Sequence, residues 1–189
     1  LEKEKIMDNY LKGATPEILS KATHIKLLIT DVDGVLTDGG IIYDDNRVEY
    51  KRFNVKDGQI VQYLRSNGIK VGVISGRNSQ VVRNRCEELK FDFHFHGIEE
   101  KALQLEKVLL ETGIGYEECA FIGDDIWDLP ILTKVGLSAA PADALPYVKE
   151  KVDFVSALSG GQGVFREVGD LILVSKGLLD PIISQLSNE

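Results

Sequence analysis

Cysteine, basic charge and long apolar runs are all scarce in this chain, and each shortage closes a class of explanation. The two cysteines, Cys86 and Cys119, lie far apart and outside any CxxC or CxxH unit. Neither a zinc site nor a disulfide framework is supported, and both read as reduced core thiols. No apolar stretch approaches the roughly 18 residues needed to cross a bilayer. Residues 1–10 alternate acidic and basic side chains without the apolar centre of a secretory leader. These features predict a soluble, cytoplasmic protein with no membrane contact. The 22 basic residues are outnumbered by 30 acidic ones, for a formal charge of −8. That excludes the broad basic face of a nucleic-acid binder and leaves room for a local basic pocket that takes a small anion. No repeat, low-complexity tract or Pro/Gly/Ser-rich linker divides the 189 residues. The chain is read as one domain over 1–189, with an N-terminal extension over 1–24 and a C-terminal helical tail over 156–189.

What the chain has is a repeated alternation of apolar strand and helix. Thr15-Pro16-Glu17 supplies a capping residue followed by proline at the first helical position, so a short helix precedes the first strand. Residues 25–30 form a nearly continuous apolar run that stops at Asp31, as a buried parallel strand does. After Gly39-Gly40, the segments 41–43 and 48–53 flank an Asp44-Asp45-Asn46 turn and predict a hairpin. Helices are then expected over 57–66, 80–89, 101–110 and 126–134, and from 164 onward. Strands are expected over 69–74, 91–95, 119–122, 137–139 and 152–155. Serial βα units predict an α/β fold with a doubly wound, Rossmann-like parallel sheet, whose chemistry sits at the carboxyl ends of the strands.

Four polar groups fall at or just after such ends. Asp31-Val32-Asp33-Gly34-Val35 offers two carboxylates two residues apart and a glycine that lets the backbone turn. One can attack phosphorus and the other can protonate the leaving oxygen and later activate water. Ser75-Gly76-Arg77 offers a hydroxyl and a guanidinium to phosphoryl oxygens. Lys101 opens a helix and can neutralise charge on the nucleophile and the transferring group. Gly123-Asp124-Asp125, with Asp128 nearby, is a hard-oxygen cluster suited to Mg²⁺. Singly, each has an ordinary reading as turn, cap or solvated residue; the order and placement of all four make the pattern specific.

With these residues in hand, the chain resembles the haloacid dehalogenase superfamily. The resemblance implies Asp31 as nucleophile, Asp33 as acid/base, Ser75 and Lys101 as phosphate binders, and a metal held by Asp31, Asp124 and the Asp33 carbonyl. An aspartate at position 33 implies phosphatase or phosphomutase chemistry. Neither 31–75 nor 101–124 has room for a large cap domain, so a capless phosphatase with a β-hairpin flap is expected. The phrases around Asp31–Gly39, Phe53–Gly58, Ser75–Arg77 and Gly160–Glu167 further resemble a branch acting on eight-carbon keto-sugar-acid 8-phosphates on the route to lipopolysaccharide. Its relatives act on nine-carbon sugar-acid 9-phosphates, or occur as domains fused to sugar-activating enzymes, which leaves a non-catalytic assembly module as the rival from another class. The branch implies a homotetramer with hairpins at its centre and with sites closed by neighbouring subunits. Lys56, Arg77 and Arg166 are candidate substrate contacts. The apolar hairpin residues Ile41, Ile42, Tyr43, Val48, Tyr50 and Phe53 either form that interface or fold back on their own core. Gly160-Gly161-Gln162-Gly163 either binds an anion or is a plain loop and cap. His94 and His96, on one strand face without an apparent third ligand, are read as structural, and Trp127 and Pro130 as packing and first-turn residues.

Overall fold

The computed structural model describes residues 11–187. The leader reading of 1–10 and the start of the proposed 1–24 extension therefore lie outside the described residues. Among the described residues the first element is helix α1 (Pro16–Thr23), started as expected by Thr15, whose hydroxyl accepts the Ile18 N–H. Strand β1 (Leu27–Thr30) follows, then a hairpin of β2 (Ile42–Tyr43) and β3 (Glu49–Tyr50), helix α2 (Val55–Ser66), β4 (Lys70–Ser75), α3 (Gln80–Leu89) and β5 (Phe93–His96). Helix α4 (Lys101–Thr112), β6 (Cys119–Ile122), the single turn α5 (Leu129–Leu132), β7 (Leu137–Ala140), α6 (Pro146–Lys149), β8 (Phe154–Val155), α7 (Val164–Ser175) and α8 (Leu179–Ser187) complete the order.

The sheet runs β5-β4-β1-β6-β7-β8, and every pair in it is parallel. The chain winds outward from β1 through β4 to β5, then returns to the other side of β1 with β6. Both neighbours of β1 thus lead away from it, which opens a crevice above its carboxyl end. Each central strand is buried on both faces. Leu28, Val71, Val73, Ala120 and Ile122 join the core beneath α1, α2 and α7, while Leu27, Ile29, Ile74 and Phe121 join the one beneath α4 and α5. Gly169 permits the α2–α7 contact, since a Cβ there would lie 2.7 Å from Ile60 Cγ1. Cys86 and Cys119 are buried free thiols, and burial pushes both up to about 12.

Three expectations are corrected. The helix over 126–134 is instead a 3₁₀ turn (Ile126–Asp128) followed by α5, because the Asp128 carboxylate takes the amides of Asp124 and Asp125 and holds the turn tight. The last strand shrinks from 152–155 to Phe154–Val155. In the hairpin, only Ile42↔Tyr50 and Tyr43↔Glu49 pair, and the alternation 48–53 has the reverse polarity to a half-buried strand. Ile41, Ile42, Tyr43, Val48 and Tyr50 are 48–56% exposed, so of the six apolar residues only Phe53 packs on the core.

Candidate active site

Asp31 directly follows β1, its N–H bonded to the Ile122 carbonyl at 2.9 Å. The chain then winds tightly around one atom: the Val32 carbonyl accepts from the N–H groups of Val35, Leu36 and Thr37. Gly34 sits in this turn at φ +93°, and a Cβ there would lie 2.1 Å from Asp124 Oδ2. Only glycine fits both the backbone and the space. The 160–163 loop packs on the same turn. A Cβ at Gly160 would meet the Gly34 carbonyl oxygen at 2.1 Å, and the Gly161 N–H donates to the Val35 carbonyl at 2.9 Å. Close backbone packing, with Gly163 opening α7, accounts for these glycines without an anion.

Lys101, the first residue of α4, reaches down to this turn. Its Nζ lies 2.9 Å from Asp31 Oδ1 and 2.7 Å from Asp128 Oδ1, with all three side chains largely buried. Burial works against the lysine's charge, but Asp31 and Asp128 outweigh it and hold its pKa above the ordinary lysine value. Asp128 spends both oxygens, Oδ1 on Lys101 and Oδ2 on the amides of Asp124 and Asp125. It orients the cluster. Ser75 is buried at the end of β4, its Oγ accepting from the Arg77 N–H at 3.3 Å. Gly76 beside it faces the Lys101 side chain.

Ligand oxygens of Asp31, Asp124 and Asp128 lie within 4.8 Å of one another. One lysine does not balance three carboxylates. Asp31 is pushed up to about 7, by burial first and then by Asp128 against the opposing pull of Lys101. Asp124 is pushed up to about 8, by burial first and then by Asp31, Asp128 and Asp125. Asp124 Oδ1 is buried with no hydrogen-bond partner. A buried carboxylate oxygen without a donor, in an acidic cluster short of positive charge, is what a hard divalent cation satisfies. The residues therefore fit Mg²⁺.

A second cluster surrounds Asp33. Lys51 Nζ donates to Asp33 Oδ1 at 2.5 Å, Thr37 Oγ1 to the same oxygen at 3.3 Å, and Arg77 Nε lies 3.3 Å from Oδ2. Arg77 Nη2 donates to Glu49 Oε1 at 2.8 Å and to the Tyr43 hydroxyl oxygen at 3.2 Å, while Ser79 Oγ donates to Glu49 Oε2 at 2.5 Å. Sequence reasoning missed Lys51, Glu49 and Thr37. The alternation 48–53 was the available signal, read for its apolar members only.

The structure brings Asp31, Lys101 and Asp124 together, sets Ser75 on the adjacent strand end, and joins Arg77 to Asp33. It does not gather the other two candidates. Lys56 is exposed in the first turn of α2 and its side chain makes no ion pair with the described residues, while the Arg166 guanidinium is held by Asp170 at 2.6 Å in α7. His94 Nδ1 and His96 Nε2 stand 3.0 Å apart on the edge strand, and burial, Arg83 and His94 hold His96 down at about 4. Trp127 departs from its packing role. It is 66% exposed and lines a surface groove with Leu103, Ile126 and Pro130.

Residues 50–136 match the model of the haloacid dehalogenase-like hydrolase family. The chain is 41% identical over 166 residues to the 3-deoxy-D-manno-octulosonate 8-phosphate phosphatase of Salmonella typhimurium, covering 88% of each. This chain belongs to the haloacid dehalogenase-like hydrolases. Another relative of the same description, from Haemophilus influenzae, is 44% identical over 157 residues, covering 83% of this hydrolase and 87% of the relative. Among solved structures, the Moraxella catarrhalis phosphatase of that name, in complex with magnesium, phosphate and KDO, superimposes with a TM-score of 0.88 at 36% identity. That match covers 90% of this hydrolase and 98% of the other chain. Among the described residues, no helix is long and apolar enough to cross a membrane.

Proposed function

We propose that this hydrolase is a Mg²⁺-dependent phosphatase that cleaves 3-deoxy-D-manno-octulosonate 8-phosphate to the free sugar acid and phosphate, in lipopolysaccharide precursor synthesis. The observation that carries the reaction class is the strand-end carboxylate Asp31, bonded to Lys101 and set beside the partnerless Asp124 oxygen. The names of its relatives supply the substrate.

Asp31 is the nucleophile. Its carboxylate attacks phosphorus to form an aspartyl-phosphate, splitting one displacement into two. Lys101 holds the attacking oxygen in line and neutralises charge that gathers on the phosphoryl group, assisted by the Ser75 hydroxyl. Asp33 gives a proton to the departing sugar oxygen and then takes one from the water that releases phosphate. The Asp31 and Asp124 carboxylates, with the Asp33 carbonyl, would hold Mg²⁺, which would supply screening between two anions that otherwise repel. Arg77 stands beside Asp33, where a substrate's carboxylate or phosphate would meet its fork. Lys56 and Arg166 are weaker substrate candidates within one subunit. The exposed apolar face of the hairpin supports a homotetramer, and the free buried thiols favour a reducing, cytoplasmic setting.

A phosphate-release panel tests the reading. The eight-carbon 8-phosphate is cleaved fastest, a nine-carbon sugar-acid 9-phosphate more slowly, release requires Mg²⁺, and Asp31→Asn abolishes it. A flat profile across unrelated phosphomonoesters sinks the substrate claim, and metal-independent release or a working Asp31→Asn variant sinks the mechanism.

A further inference from the structure

The hairpin carries two chemistries on its two faces. Along 48–52, Val48, Tyr50 and Arg52 point outward, while Glu49 and Lys51 point inward, Lys51 onto Asp33 and Glu49 onto Arg77 and Ser79. The Lys51 side chain is 0% exposed, and its only ion-pair partners among the described residues are Asp33 and, at 3.4 Å, Glu49. A buried ammonium is tolerated only when paired, so Lys51 is committed to this place. Arg77 is shared by the same two carboxylates. Glu49, Lys51, Asp33 and Arg77 thus form a closed quartet of two anions and two cations. Ser79 and Tyr43 pin it, the first donating to Glu49 and the second accepting from Arg77.

The division of contacts within the quartet is uneven. Glu49 takes the good hydrogen bond from Arg77, at 2.8 Å, and leaves only the poorly aligned Nε facing Asp33. As a result, Asp33 Oδ1 is bound by Lys51 and Thr37, while Asp33 Oδ2 is buried with no hydrogen-bond partner. We propose that Glu49 is a positioning residue for the acid/base carboxylate: by holding Arg77 and Lys51 it fixes Asp33 through Oδ1 and keeps Oδ2 free for the leaving-group proton. Without Glu49, the guanidinium has one carboxylate left to pair with. Its planar fork favours bidentate closure on Asp33, which fills Oδ2 and stalls proton transfer.

This inference rests on the acid/base role proposed for Asp33, and leaving-group dependence tests the two separately. Glu49→Ala lowers kcat on the sugar phosphate by about tenfold, a fraction of the 10²–10⁴-fold that general acid–base catalysis contributes, with KM within about threefold. The burst of p-nitrophenol from p-nitrophenyl phosphate, whose leaving group needs no proton, stays near the parent rate. Glu49→Gln keeps one acceptor oxygen of the two, enough for Arg77, and shows the same pattern with a smaller loss; it carries the test should Glu49→Ala fail to fold. Asp45→Asn, in the exposed turn of the hairpin, leaves both rates unchanged. Equal losses on the two substrates, or no loss in either Glu49 variant, overturn the positioning role while Asp33→Asn remains slow. An Asp33→Asn variant as fast as the parent overturns the acid/base reading itself.

Discussion

Asp31 and Asp124 gain protons on folding, and the sign of the consequence follows directly. Both carboxyls rise from an ordinary 3.8, to about 7 and about 8. Below about pH 4 they are protonated in folded and unfolded chain alike and contribute nothing. As pH rises through the window from about 4 to about 8, the unfolded chain releases those protons first, so the metal-free protein loses stability across it. A cation that replaces the protons reverses the trend. The melting temperature of the metal-free protein is expected to fall between about pH 5 and pH 8, and Mg²⁺ to raise it more at pH 8 than at pH 5. Calorimetric titration in two buffers of different ionisation enthalpy should show proton release on Mg²⁺ binding. Equal stabilisation at both pH values and no proton release would mean that these carboxylates do not hold the ion.

At the scale of elements, the turn after β1 is as constrained as the residues it presents. Gly34→Ala adds a Cβ at a left-handed φ and drives it into Asp124. The backbone strain alone costs about 1–3 kcal/mol. Urea unfolding should register that loss, and Mg²⁺ titration should register a weakened site because Asp124 must move. Much of this architecture was legible in sequence. Asp31, Ser75 and Asp124 each end or follow an apolar run, Lys101 opens a helix, and a parallel sheet brings strand ends together whatever the intervening lengths. The boundaries 80–89 and 119–122 agree to the residue because the local apolar pattern sets each of them. What was illegible depends on tertiary contacts with no local trace. Lys51 finds Asp33 18 residues away and Glu49 finds Ser79 30 residues away, and no periodicity announces either partner. The 126–134 segment has helical composition, but the Asp128 carboxylate overrides it by tying down its first turn. Residue type favours packing for Trp127, and the 3₁₀ turn carries it outward instead.

On the scale of the whole molecule, the exposed hairpin face is the surface that a monomer leaves least settled. Ile42, Val48 and Tyr50 lie exposed together on the outer face of a two-stranded ribbon, a structure of marginal stability alone. If the proposed tetramer assembles through this face, Tyr50→Asp shifts sedimentation to smaller species; an unchanged sedimentation profile would remove the hairpin from the proposed interface. The inner face of the same ribbon holds Asp33 through Lys51, and its side chains alternate with a period of two. The hairpin therefore has a reading frame. Deleting one residue of the 44–47 turn would bring Val48 and Tyr50 down onto Asp33 and send Glu49 and Lys51 out to the exposed face. Such a deletion removes no catalytic group, yet it should cost assembly and proton transfer in a single step, whereas any substitution on one face spares the other. Turn length, together with the Asp44 carboxylate that takes the Asn46 and Val48 amides, is what this part of the chain has to keep.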